Sequence, residues 1–161
     1  MLKVLLLCFS LLGFAPSILL AAEIHGRVVG ILDGDTIDVL AGRNIYRIRL
    51  AGIDAPEKGQ PFGQAAKKAL SDKVFGRDIR VFTIEKDRYG REIGRVFADS
   101  DVNLAMVAEG YAWVYERYAD SLGQDRPTFE DAKERARKAR AGLWRDPSPT
   151  PPWEYRRAGG Q

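Results

Sequence analysis

Residues 31–57 read ILDGDTIDVLAGRNIYRIRLAGIDAPE, and the fold turns on how this stretch is read. Two runs of β-forming residues, Thr36 to Leu40 and Ile45 to Ala51, flank a loop containing Gly42 and Asn44, the pattern of an antiparallel hairpin. An acidic cluster stands at each outer end: Asp33 and Asp35 before the first strand, Asp54 and Glu57 after the second. Taken separately, Asp33-Gly34-Asp35 and Asp54-Ala55-Pro56-Glu57 are turns, because Asp, Gly and Pro suit the bends that end strands. Taken together they mean more. A hairpin brings the start of its first strand beside the end of its second, so Asp35 and Asp54 meet at one end of the sheet. Adjoining carboxylates repel unless a cation lies between them, and the partners on offer are a hard metal ion or an arginine.

Working outward, Ile24 to Leu32 alternates as a strand leading into the hairpin. Downstream, Lys58 to Gln60 forms a short loop and Pro61 opens a helix, for which Phe62, Ala65, Ala66, Ala69 and Leu70 supply the apolar stripe and Gly76 the stop. Lys67, Lys68 and Lys73 fall on its solvated face. A fourth strand, Asp78 to Glu85, turns through Asp87-Arg88-Tyr89-Gly90 into a fifth, Arg91 to Ala98. Asp101 caps a second helix that runs from Val102 to Glu109 and ends at Gly110.

A third helix begins at Thr128 with a capping-box pattern, carries Phe129, Ala132, Ala136, Ala139 and Leu143 on one face, and stops at Gly142. Its outer face pairs Asp131 with Arg135 and Glu134 with Lys138. Trp113 and Trp144 anchor the core, and the tail from Pro147 to Gln161 is semi-ordered, docked at Pro152-Trp153. These elements predict an α+β fold: a five-stranded, OB-fold-like barrel with about three α-helices.

Composition adds bounds. The chain has 161 residues, 45% of them apolar and 29% charged, ordinary values for one globular domain. Residues 1–22, MLKVLLLCFSLLGFAPSILLAA, have the layout of a secretory signal, so the expected domain is 23–146, secreted or periplasmic, followed by the tail 147–161. Leu19 or Leu20 stands where a cleavage site prefers a small residue, which leaves a retained membrane anchor as the alternative; either way the folded part lies outside the cytoplasm.

Lys3 is the only charge in that segment, so 24 of the 25 basic residues remain against 22 acidic ones, too small an excess to argue for a polyanionic partner. The one cysteine, Cys8, also falls in the segment, so the rest of the chain has no disulfide and no thiolate metal site. The single histidine, His25, reads as a strand-surface residue rather than a base. Oxygen donors without thiolate suit Ca²⁺ rather than Zn²⁺.

Three motifs, Asp33-Gly-Asp35-Thr, Arg49-Leu-Ala-Gly-Ile-Asp54-Ala-Pro-Glu57 and Asp87-Arg-Tyr-Gly-Arg91, resemble those of the staphylococcal nuclease (thermonuclease) family, in the same order and at compatible spacings. The resemblance runs over roughly residues 24–145. It implies a nuclease acting on DNA, RNA or both, with one Ca²⁺ held by Asp35, Asp54 and the backbone carbonyl of Ala55, where the family usually carries threonine; nothing in the sequence demands more than a monomer. Arg49 and Arg91 would clamp the phosphate, and Glu57 would orient or deprotonate the attacking water. Asp33 would order metal-bound water or simply make the turn.

Arg88, Tyr89, Tyr115 and Tyr118 are the candidate substrate contacts, although Glu116 stands where one family tyrosine is expected. The family's products carry 3′-phosphates. A non-catalytic OB-type binding module is the alternative, but it has no need of three carboxylates and two arginines in matching places; a purely structural Ca²⁺-binding domain would explain the acids and leave Arg49 and Arg91 idle.

Overall fold

The computed structural model describes residues 22–159. The N-terminal segment read as a signal or anchor, and Cys8 within it, lie outside the described residues.

Five strands close a barrel: β1 (Glu23–Ile31), β2 (Thr36–Ala41), β3 (Asn44–Leu50), β5 (Asp78–Lys86) and β6 (Glu92–Phe97), with a short β4 (Ile53–Asp54) between β3 and β5 in the chain. Around the barrel the order is β1-β2-β3-β6-β5, with β5 returning to β1. The hairpin is present as read, with Thr36 opposite Arg49 and Ala41 opposite Asn44. Closure depends on a parallel pairing of β3 with β6, which sets Arg49 beside Ile93. Alternate residues fill the interior, among them Ile37 and Val39 on β2, Ile48 and Leu50 on β3, and Val81 and Val96 across β5 and β6, all at most 1% exposed. His25 lies on the outer surface of β1, where it pairs with Glu23.

Helices cover one side. α1 (Gly63–Val74) buries Gly63, Ala66, Leu70 and Val74. The predicted stripe is corrected in part, because Phe62 precedes the helix in a left-handed conformation (φ 66°) and Ala65 is exposed. Lys67 is not a solvated residue either: its Nζ donates to the Leu32 carbonyl at 3.1 Å and ties α1 to the chain entering the hairpin turn.

α2 (Val102–Ala108) is capped by Asp101, whose carboxylate accepts from the Leu104 N–H at 3.0 Å. α3 (Arg126–Lys138) starts two residues before Thr128, and Thr128 provides no cap. It also ends four residues before Gly142, so Ala139 is exposed and Leu143 belongs to a separate 3₁₀ turn, Gly142–Arg145. On its outer face the ion pairs are Glu130–Lys133 and Glu134–Arg137, three residues apart rather than four.

Three features position the functional end of the barrel. β4 pairs with β7 (Trp113–Val114), placing Asp54 opposite Trp113. Asn103 is fully buried and satisfied: it accepts from the Val96 N–H and donates to the carbonyls of Ala51 and Gly94, which fastens the β3–β4 turn to β6. The third is the tail, expected to be semi-ordered, in which Pro152–Arg157 forms a fourth helix, α4, docked at Trp153 as expected. The Trp153 ring stacks on Tyr115 at 5.2 Å and meets Trp113 edge-on at 5.7 Å. Trp144 packs edge-on against the same Trp113 at 4.5 Å.

Candidate active site

The end of the hairpin is held together from inside. The Asp33 carboxylate accepts from the Asp35 N–H at 3.0 Å, closing a local turn. Asp35 itself accepts from the Thr36 hydroxyl at 3.0 Å and from the Ala55 N–H at 2.9 Å, and the second of these bonds stitches the two acidic clusters together. Gly34 makes that approach feasible, since a Cβ there would lie 2.7 Å from the Cβ atoms of both Ala55 and Ala66.

Arg49 sits between the clusters with 12% of its side chain exposed. It donates to the Ile53 carbonyl at 3.0 Å and to Asp54 Oδ1 at 2.7 Å, and its Nη1 lies 3.4 Å from Asp35 Oδ2. Burial works against its charge, yet Asp35 and Asp54 raise its pKa above the ordinary guanidinium value. The cation between the carboxylates, left open by the sequence, is therefore supplied at least in part by this arginine.

Asp54 is 1% exposed, and burial pushes its carboxyl up even though Arg156 and Arg49 pull the other way. Asp33 is raised to about 6, first by burial and then by the neighbouring charge of Asp35. An acid cluster that resists full ionisation is one that gains from added positive charge.

Glu57 lies half-buried beyond Asp54, its N–H donating to Gln60 Oε1 at 3.1 Å. Gly63 bears directly on it: a Cβ there would come within 1.9 Å of the Glu57 carbonyl oxygen. Arg91, just before β6, is held by Asp87, which accepts from its N–H at 2.9 Å and from its Nε at 2.7 Å. Its guanidinium also lies 5.5 Å from the Tyr89 ring, and Arg88 stacks over the same ring at 4.8 Å. Tyr115 and Tyr118 meet edge-on at 5.1 Å across the cleft wall.

All of these line one cleft of about 300 Å³: Asp33, Asp35, Arg49, Asp54, Ala55, Glu57, Arg88, Tyr89, Arg91, Tyr115 and Tyr118 are gathered in it. The structure thus brings every predicted site residue to one place, although Arg91 touches Asp87 and Tyr89 rather than the acidic cluster.

Two arginines in the cleft were not predicted for it. Arg117 is exposed at its rim. Arg156, which the sequence offered with Arg157 only as a nucleic-acid contact from the tail, donates to Asp54 Oδ2 at 2.8 Å and Oδ1 at 3.3 Å, and to Glu57 Oε1 at 2.5 Å. Burial opposes the charge of Arg156, but the hydrogen bonds to Asp54 and Glu57 raise its pKa above the ordinary guanidinium value. The Gln60 side chain helps hold the tail in place by donating to the Thr150 carbonyl at 2.6 Å. The available signal was the run Pro151-Pro152-Trp153, an aromatic anchor on a proline start, which marks a docked segment but not where its arginine points.

The profile of the staphylococcal nuclease homologue family matches residues 47–146. This chain belongs to that family. It is 46% identical over 147 residues to the micrococcal nuclease of Shigella flexneri, covering 85% of this chain and 83% of that one. It is 45% identical over 139 residues to an uncharacterized endonuclease of Escherichia coli, covering 85% and 88%, and 43% identical over 133 residues to one of Haemophilus influenzae, covering 81% and 72%. The closed five-stranded barrel with its helices is the α+β, OB-like fold of the family.

The family resemblance implies a metal, and the donor set can be tested for it. Asp35, Asp54 and the Ala55 carbonyl are hard oxygens on adjoining segments, joined by the Asp35–Ala55 bond. Among the described residues no group of three or more His, Cys, Asp and Glu could by itself hold an ion. A hard cation taken up by these oxygens would have to complete its shell from water and substrate rather than from a protein cage, and would share Asp54 with Arg49 and Arg156, which between them donate to both of its oxygens.

Proposed function

We propose that this protein is a Ca²⁺-dependent exported nuclease that hydrolyses phosphodiester bonds of DNA, RNA or both and leaves 3′-phosphate ends. The observation that carries the reading is the cleft in which four carboxylates face five arginines, with Arg49 arriving from β3 and Arg91 from the turn before β6. A phosphodiester is an anion that gains charge on its equatorial oxygens as water attacks in line, so catalysis is mostly positioning and electrostatic stabilisation. Arg49 and Arg91 supply planar donor forks for those oxygens, each pre-set by a carboxylate partner.

Glu57 orients the attacking water or takes its proton, in a geometry kept by Gln60 and Arg156. Held by Asp35, Asp54 and the Ala55 carbonyl, Ca²⁺ would supply Lewis-acid polarisation of the phosphate. Tyr89, Tyr115 and Tyr118 offer ring faces to the bases. Export rests on the signal-like residues 1–22.

The test is degradation of plasmid DNA, heat-denatured DNA and RNA with Ca²⁺, Mg²⁺ or chelator, beside a Glu57→Ala variant. Cleavage that needs Ca²⁺ and is lost in the variant supports the reading, and end-group analysis of the products checks the 3′-phosphate. Binding of strands without cleavage under every condition moves the assignment to a binding module. Fractionation of cells producing the full chain tests export.

A further inference from the structure

The proposed reaction uses the floor of the cleft and leaves most of α4 without a task. Tyr115, Arg117 and Arg156 line the catalytic cleft on one side and, with Trp153 and Arg157, a second groove of about 490 Å³ on the other. The two therefore adjoin across these three residues. The second groove is lined by three guanidinium groups and two aromatic rings, with no carboxylate among them. Arg117 and Arg157 are exposed, and neither forms an ion pair among the described residues; Arg157 only donates to the Trp153 carbonyl at 3.3 Å.

Arg156 is neutralised by Asp54 and Glu57, but Arg117 and Arg157 lack such partners among the described residues, and neighbouring cations without counter-ions gain from an anion, most of all a chain of them. The aromatic pair is held firmly, because Tyr115 and Trp153 stack on each other 13° from parallel, leaving only an outer face for a base, and Trp153 is braced edge-on by Trp113, itself packed against Trp144. Cations beside a supported ring face are what an unpaired nucleotide strand requires: phosphates follow the charges and a base stacks on the ring. A duplex cannot use the ring face, since its bases are stacked on each other.

We propose that α4 and Arg117 form a subsite for single-stranded nucleic acid, in which the strand leaving the scissile phosphate lays its backbone over Arg117 and Arg157 and a base on the Trp153–Tyr115 platform. The subsite rests on the nuclease reading and sharpens its substrate class. It makes the tail a substrate-binding element and favours denatured over intact DNA.

The experiment measures anisotropy of a fluorescein-labelled 12-nucleotide single strand, and of the same sequence as a duplex, between 50 and 200 mM salt, with the full chain carrying Glu57→Ala to prevent cleavage. Adding Arg117→Ala and Arg157→Ala together lowers the steepness of log K against log salt by about 1.4 for the single strand, at ~0.7 per phosphate contact. Trp153→Leu, checked for folding by circular dichroism, weakens single-strand binding roughly 5- to 150-fold, the range for one stacked base. Arg43→Ala, on the β2–β3 turn at the opposite end of the hairpin, leaves both binding curves where they are.

An unchanged slope in the double variant overturns the subsite even if Trp153→Leu binds weakly, because lost packing alone would produce that weakness. Equal losses for duplex and single strand also overturn it, leaving only a general basic surface. Failure of the unsubstituted protein to cleave any nucleic acid removes the nuclease reading and the subsite together, whereas cleavage with unchanged slopes removes the subsite alone.

Discussion

The two walls of the cleft hold the same carboxylate by opposite means. On the hairpin side, Arg49 is 12% exposed and reaches Ile53 and Asp54, four and five residues along the chain. On the tail side, Arg156 is 39% exposed and reaches Glu57 and Asp54 across 99 and 102 residues. The first contact comes with the barrel itself, since β3 cannot pair with β2 and β6 without delivering Arg49 to that place. The second depends on a short helix outside the barrel, docked through Trp153 stacking and the Gln60–Thr150 bond. The hairpin wall is thus inseparable from the fold, and the tail wall is an attachment to it.

Substitutions can break or sharpen this contrast. The largest effect is expected at Arg49. Arg49→Lys keeps the charge but loses the fork, and turnover should fall by about 10²-fold or more, comparable to loss of an oxyanion donor. Arg49→Ala should also cost roughly 3–5 kcal/mol in urea unfolding, because it removes the buried cation from Asp35 and Asp54 and leaves the more exposed Arg156 beside Asp54. Turnover near the wild-type level in Arg49→Lys would remove the clamp from the mechanism.

Next is Gly63→Ala. The added methyl has to displace the Glu57 carbonyl, so about 1–3 kcal/mol of overpacking should appear together with a fall in turnover. Unfolding and activity measured on one preparation would show whether the two move together.

On the tail side, Arg156→Ala should cost only ~1–2 kcal/mol, since water can replace a half-exposed partner. The barrel's circular dichroism should be unchanged. A loss as large as that of Arg49→Ala would mean that the tail is part of the folding core and would erase the distinction.

The smallest effect is expected at Asp87. Burial opposes its charge, but the hydrogen bonds from the Arg91 N–H and side chain and from the Tyr89 N–H outweigh it and lower its pKa. The unfolded chain then takes up this proton more readily than the folded one. The stabilisation is complete above the unfolded value of about 3.9 and is lost as pH falls through the depressed folded value. Asp87→Asn should therefore lower the melting temperature slightly at pH 7, with the difference narrowing below pH 4. The same variant loosens Arg91, so a reduced turnover should accompany it.

The residues legible in the sequence were those whose partners lie nearby. Asp35 and Asp54 could be brought together on paper because one hairpin joins them, and the Asp87–Arg91 turn is five residues long. Asn103 carried no such signal, since a buried Asn in a helix resembles a surface one until Val96, Ala51 and Gly94 surround it. The pairing of β4 with β7 escaped for a similar reason: two residues have no period, and their partners stand 61 and 59 positions away. Thr128 was misleading because its capping pattern was real but the chain had already turned helical at Arg126.

By itself, then, the sequence determined the barrel strands and the hairpin, because periodicity and turn chemistry act over a few residues, while the acid and arginine positions were marked by its resemblance to the family. Only the tertiary structure decided that β3 and β6 close the barrel in parallel, that Arg49 fills the space between the carboxylates, and that the tail brings Arg156 to the same acids. These contacts form where shape and charge match after the chain has folded, and no local pattern encodes a match between residues a hundred positions apart.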